Sequence, residues 1–182
     1  MRLFTALDVP DPIRDRYAAC RDDDALDARW SPPANDHVTV RFIGEVDADT
    51  LPRYRDAMAS VAARPVPLAP YGLDVLPSRR TPRVLVVGMD RTDALLNLYT
   101  ALSDALAELG LKPQDRPYRP HVTLARLNDA SPEAVHSFLR RHDLDLPAFT
   151  VSAVHLYEST LTPDGAVHTV RATIPLSTDA SD

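Results

Sequence analysis

Two stretches decide the fold: His37-Val38-Thr39-Val40-Arg41-Phe42-Ile43-Gly44 and His121-Val122-Thr123-Leu124-Ala125-Arg126-Leu127-Asn128. Each opens His-Val-Thr, continues in β-branched and aliphatic residues, and gives way to a short acidic turn and a helical pattern. Each is preceded by a strand, a helix and a proline-rich loop, and followed by further strands. The motifs lie 84 positions apart in a chain of 182. The chain therefore reads as a duplication. An α+β fold is expected, with two β-α-β-α-β lobes related by a pseudo-twofold axis. The His-Val-Thr strands would face each other across a central cleft, antiparallel sheets would line it, and the helices would lie outside.

Outward from the motifs, the periodicities supply the other elements. Residues 1–9 read as a strand, with Leu3, Thr5 and Leu7 alternating against Phe4 and Ala6. Asp11-Pro12 is a helix start, and Ile13, Tyr17 and Cys20 form one apolar stripe. Residues 21–29 read as a helix end and a loop. Leu51, Tyr54, Met58 and Val61 share one side of a helix over 49–61. Residues 66–76 are strand-like, with Pro67 and Pro70 confining their first part to an edge or loop. Residues 84–87 read as a buried strand. Leu95, Leu98, Leu102, Leu106 and Leu109 make the clearest helical stripe, closed by Gly110. Ser131-Pro132 opens a helix bearing Val135, Phe138 and Leu139. Two strands flank a Pro163-Asp164-Gly165 turn, and 177–182 reads as a frayed tail. The whole chain, 1–182, is expected to be one bilobal domain with approximate halves 1–80 and 81–176.

Composition narrows the function classes. The net charge is −6, from 20 basic and 26 acidic residues, which argues against a long duplex-binding surface and hence against duplex DNA as a partner. A small pocket for one or two phosphates stays open. No run of 18 apolar residues occurs, so no membrane-spanning helix is expected, and the N-terminus lacks the apolar run of a signal peptide. Cys20 is the single cysteine, so no intrachain disulfide forms and a reducing cytoplasm is the expected location. Nothing in the apolar content signals an interface, and a monomer is expected.

Strand parity assigns the chemistry. Residues i and i+2 share a face, so His37 and Thr39 project together, as do His121 and Thr123, while Val38, Val40, Val122 and Leu124 point into the core. Two imidazoles can take and give protons near neutral pH, and two hydroxyls can hold phosphoryl oxygens. That set suffices to cleave a phosphodiester without a metal or other cofactor. A metal site is the competing reading, but it needs three or four ligands and the pair supplies two. The symmetry leaves open which histidine is the acid and which the base.

HVTVRFIG and RPYRPHVTLAR resemble the two HxTx motifs of the 2H phosphoesterase superfamily. Within it, the chain is similar to the RNA 2′,3′-cyclic phosphodiesterases, also called 2′-5′ RNA ligases or LigT-like proteins. The resemblance extends to the F-x-A-L-D-V-P strand at the N-terminus, Trp30 seven residues before His37, and V-x-L-Y-E-S-x-L over 154–161. It implies a partner class: RNA 3′ ends, or nucleotides, carrying a 2′,3′-cyclic phosphate. It also implies metal-free hydrolysis to a 2′-phosphate, with His37 as proton donor to the departing 3′ oxygen and His121 as the base that activates water. Thr39 and Thr123 would hold the non-bridging oxygens. His168, where relatives carry an aromatic, is a departure expected to touch no catalytic motif.

Further substrate-binding candidates flank the motifs. Arg41 shares strand parity with His37 and Thr39, and Arg119 has the parity of His121. Arg126 has opposite parity unless the strand bends, and is kept because the family pattern shows a basic residue there. Phe42 has core parity, so Tyr118, in a loop, is the better base-stacking candidate. Arg79, Arg80 and Arg83 read as solvated surface, His136 and His142 as surface helix residues, and His155 and His168 as strand residues without a catalytic part. Two other functions compete with the phosphodiesterase: the reverse reaction, joining RNA ends through a 2′-5′ bond, and a catalytically idle module that binds nucleotides. The acidic surface disfavours the first, and two intact His-Thr pairs argue against the second.

Overall fold

The computed structural model describes residues 1–163 and 165–177. Asp164 of the expected turn and the tail beyond Ser177 lie outside the described residues. The strands are β1 (Arg2–Asp8), β2 (Ala28–Trp30), β3 (His37–Glu45), β4 (Val66–Leu68), β5 (Pro70–Ser78), β6 (Thr81–Met89), β7 (His121–Leu127), β8 (Phe149–Val151), β9 (Ala153–Thr162) and β10 (Gly165–Pro175). The helices are α1 (Asp11–Ala18), α2 (Leu51–Ala59), α3 (Asp93–Ala107) and α4 (Pro132–Arg141). No helix among the described residues is long and apolar enough to cross a membrane.

One antiparallel sheet runs β10-β9-β1-β3-β7-β6-β5, with β2 on β7, and β4 pairs with β8 in a separate ribbon. Apart from β10 at one edge and β2 on β7, the order is symmetric about the β3–β7 contact. β1 and β6 flank the motif strands, and β9 and β5 lie outside them. The outer strands are exchanged: β5, from the first half of the sequence, pairs with β6, while β9, from the second, pairs with β1. β4 and β8, which follow α2 and α4, pair with each other across the same axis. β2 falls in a segment that reads as loop. It is set by pairing with β7, Trp30 lying opposite Ala125.

One sheet face carries the core. Leu3, Leu7, Val38, Val40, Leu85, Val87, Val122 and Leu124 are all buried, as are Leu95, Leu98, Leu102 and Leu106 of α3. Each of those leucines contributes about 1.5–3 kcal/mol by leaving water. Hydroxyl caps start the two helices of the second half: Thr92 Oγ1 accepts the Leu95 N–H at 3.3 Å, and Ser131 Oγ accepts the Ala134 N–H at 3.2 Å. The opposite, open face carries His37, Thr39, His121 and Thr123.

The approach to β3 is fixed from below. Asp36 has a fully buried side chain, accepts the Tyr17 hydroxyl at 3.0 Å and pairs with Arg21 at 2.6 Å. That anchor sets where His37 begins.

Candidate active site

Val38 and Val122 form the pair through which β3 meets β7. The motif strands therefore lie side by side, and no gap separates them. Antiparallel register through that pair sets His37 opposite Thr123, and Thr39 opposite His121. The four side chains occupy the corners of one patch on the open face, each histidine flanked by one hydroxyl along its strand and one across.

The ring nitrogens are sorted by backbone carbonyls. His121 Nδ1 lies 2.7 Å from the Arg119 carbonyl oxygen. A carbonyl can only accept, so Nδ1 carries the hydrogen and Nε2 is left free for chemistry. The Asn35 carbonyl acts on His37 from the equivalent position two residues upstream, and His37 Nε2 sits 3.1 Å from Thr39 Oγ1. Burial, reinforced by His168 and His121, pushes the His37 pKa down to about 4, against the pull of the Asn35 carbonyl and Asp8. Burial also pushes His121 down, against the pull of the Arg119 carbonyl and with a smaller push from the Arg119 charge. Both rings are thus neutral at pH 7 in the free protein, which displaces the expectation that both take and give protons near neutral pH.

A bulge at the same place in each motif strand reassigns the neighbours. Thr5 pairs with Arg41 but Ala6 with Thr39, leaving Val40 as the extra residue; Leu85 pairs with Ala125 but Val86 with Thr123, leaving Leu124. Past the bulge the parity inverts. Arg41, expected on the open face, turns into the core at 3% exposure, where its backbone N–H donates to Thr5 Oγ1 at 3.0 Å and its guanidinium donates to the Lys112 carbonyl. Phe42, expected in the core, is 55% exposed on the open face. Arg126 takes the matching place in the other half, exposed and on the same side as Thr123. The signal is present in the repeat: Leu124-Ala125 puts two apolar residues where alternation demands one.

Tyr118 is not a free stacking surface. It is buried, its hydroxyl donates to the Thr39 carbonyl at 2.9 Å, and its ring is stacked on Tyr99 at 4.4 Å. It holds β3 from behind. Arg119 is exposed and donates to the Pro77 carbonyl at 2.9 Å, so its backbone, through the carbonyl, is what touches His121. Arg79, Arg80, Arg83 and His136 are exposed. His142 is half-buried and bonds Asp23 at 2.7 Å, packing that ties the end of α4 to the chain after α1.

Several residues of this face escape a reading of the sequence. His168, expected to touch no catalytic motif, has its ring centroid 5.2 Å from that of His37. Phe4 lies beneath both, 4.8 Å from His37 and 5.0 Å from His168, and stacks on Tyr157 at 5.3 Å. The Tyr157 hydroxyl donates to Asp8 at 2.6 Å, and His155 approaches the same carboxylate at 3.4 Å. In the other half, Gly88 lies opposite His121, and a Cβ there would stand 2.0 Å from the Tyr71 ring. A glycine inside a buried strand run is the usual sign of such close approach. Tyr71 is 54% exposed and forms a wall beside His121. Among the described residues, no group of three or more His, Cys, Asp or Glu is arranged to hold a metal ion.

Residues 9–162 match the model of the 2′-5′ RNA ligase superfamily. A Methanocaldococcus jannaschii protein named RNA 2′,3′-cyclic phosphodiesterase is 28% identical over 173 residues, spanning 93% of this chain and 98% of that one. A Bacillus subtilis protein of the same name is 28% identical, spanning 86% of this chain and 89% of its own. Among solved structures, a Thermus thermophilus protein aligns with a TM-score of 0.83 at 27% identity, covering 98% of this chain and all of that one. Escherichia coli LigT complexed with 3′-AMP aligns at 0.75 with 25% identity, covering 96% and 97%. The chain belongs to the 2′-5′ RNA ligase superfamily.

Proposed function

We propose that this member of the 2′-5′ RNA ligase superfamily is a metal-independent RNA 2′,3′-cyclic phosphodiesterase, hydrolysing a terminal 2′,3′-cyclic phosphate to a 2′-phosphate. The observation that carries the reading is the pairing of Val38 with Val122, which gathers two imidazoles and two hydroxyls on one face, with His121 Nδ1 turned to the Arg119 carbonyl. The names of the relatives supply the substrate class.

In this reading His121 Nε2 takes a proton from water as the water oxygen bonds to phosphorus. The bond from phosphorus to the 3′ oxygen breaks, and His37 Nε2 gives its proton to that oxygen. Thr39 and Thr123 donate to the non-bridging oxygens, whose charge grows in the transition state. The phosphate displaces the mutual contact of His37 and Thr39, and its charge raises the pKa of His37 so that the acid is loaded when substrate is bound. Arg126, on the same side as Thr123, binds a phosphate of the chain; Phe42, at the matching place, offers a face to a base. Arg119 is kept as a rim contact, while Arg41 and Tyr118 shape the strand from behind. The protein works as a cytoplasmic monomer of one bilobal domain, 1–182, on RNA 3′ ends or small cyclic nucleotides.

Incubation with a nucleoside 2′,3′-cyclic monophosphate in EDTA tests this. A 2′-phosphate product, identified by phosphorus NMR, is expected. Activity lost to chelation and restored by a divalent ion would remove the mechanism, and a 3′-phosphate product would exchange the two histidines' roles. No turnover with tight nucleotide binding would mark an idle module instead.

A further inference from the structure

His168 and His37 meet although three strand steps separate β10 from β3. In a flat sheet that alone is about 14 Å, at roughly 4.8 Å per strand, and the register adds to it: His168 pairs with Ser159, Ser159 with Arg2 and Arg2 with Glu45, at the far end of β3 from His37. The 5.2 Å between their rings means that the β9–β10 hairpin curls back over the open face. Asn35, two residues before His37, fixes the curl by donating its side-chain N–H to the Ala166 carbonyl at 2.8 Å. The two imidazoles stand edge to face at 84°, with Phe4 packed against both. His168 Nδ1 is buried and has no hydrogen-bond partner among the described residues.

We propose that His168 is a positioning residue for His37: its imidazole braces the His37 ring on the open face and competes with it for a single proton. The proposal rests on the reading of His37 as the proton donor. Two imidazoles in contact cannot both carry charge without strong repulsion. Their surroundings differ. The Asn35 carbonyl favours a charged His37, whereas a charged His168 would bury an Nδ1–H with no acceptor among the described residues. Without substrate, His168 is among the causes that hold His37 neutral. A phosphate brought against His37 Nε2 reverses the preference, and the one proton goes to the ring that can use it. The other charged or titratable groups around the pair are Asp8 of β1, which favours a charged His37, and His121 of β7, which opposes it. Tyr157 and His155 of β9 are both engaged with Asp8, Arg171 and Glu158 pair with each other, and Arg29 of β2 reaches the hairpin end at Gly165.

The test is an NMR titration of His37 in the full chain carrying His168→Phe, with His168→Gln and His168→Ala measured alongside. Phenylalanine keeps the ring and removes the proton. The His37 midpoint is expected to rise by about one pH unit, the size of shift that removing a like charge at this range produces. Glutamine is expected to move it the same way. The low-pH edge of the kcat/KM profile should move with the midpoint. His168→Ala, which also removes the brace, should lose roughly tenfold in kcat, and His168→Phe should retain more of it. A His37 midpoint unmoved in both the Phe and Gln variants, with superimposable pH profiles, overturns the proposal. If the midpoint moves but no variant and no wild-type protein cleaves cyclic phosphate, the proton competition stands and the reading of the function falls.

Discussion

Val38 and Val122 are paired across the pseudo-twofold axis, and both are fully buried. Their side chains belong to the core, yet their backbones hold the catalytic candidates in register. Because the motif is His-Val-Thr in both halves, one backbone pair between the valines generates a symmetric patch in which each histidine borders both hydroxyls. The symmetry is broken around the rings. His37 is enclosed by Phe4, His168 and Tyr157, whereas His121 is bordered by Gly88 and the more exposed Tyr71.

His37→Ala and His121→Ala are each expected to lose about 10²–10⁴-fold in kcat, the usual contribution of a positioned acid or base. The double variant should be little worse than either single one, since the two rings serve one transition state. Steady-state kinetics on a cyclic mononucleotide measures this. Full additivity of the two losses would mean that the histidines do not act on the same step.

Thr39→Ala and Thr123→Ala should each cost roughly 1.5–3 kcal/mol of transition-state stabilisation, the value of a hydrogen bond to a charged group. Both hydroxyls lie on the open face, so thermal melting should barely change. A fall in Tm that parallels the fall in kcat/KM would make the threonines structural.

Arg41 and Arg126 make opposite predictions because of the bulges. Arg41→Ala removes a buried guanidinium that bonds the Lys112 carbonyl, and is expected to destabilise by about 1–3 kcal/mol. Arg126→Ala is expected to leave Tm unchanged and to raise KM. The pair is checked by measuring melting and kinetics on the same two variants. A stable Arg41→Ala protein with raised KM would return Arg41 to the open face.

The contrast marks what periodicity can and cannot read. The His-Val-Thr duplication, the leucine stripe of α3 and the inward valines follow from local spacing alone, and the structure has them where spacing puts them. Parity counting fails after Val40 and Leu124, because one extra residue on a strand inverts every later side chain. The exchange of β5 and β9 between the halves is set by pairing partners far away in sequence, which no local pattern encodes. His168 is invisible to local spacing for the same reason. Its contact with His37 depends on how far a hairpin curls, a property of sheet coiling and the Asn35–Ala166 bond.

The pH dependence follows from burial. In the unfolded chain His37 titrates near pH ~6.5, but in the folded protein it titrates at about 4. Between those values the unfolded state holds a proton that the folded state lacks, so this contribution to stability is complete above the unfolded value and is lost as pH falls toward the folded one. His121 is displaced in the same direction. Thermal melting from pH 8 to 4 should therefore show Tm falling with acid, and His37→Asn should flatten that fall. For catalysis, kcat/KM reports the free enzyme, whose two imidazoles both titrate below the usual range; its bell should peak on the acid side of neutrality. The kcat profile reports the complex, where phosphate raises the acid, so its maximum should lie at higher pH than that of kcat/KM. Coincident maxima at or above pH 7 would mean that the rings are more hydrated than the structure has them. A profile with a single ionisation would remove the second imidazole from the mechanism.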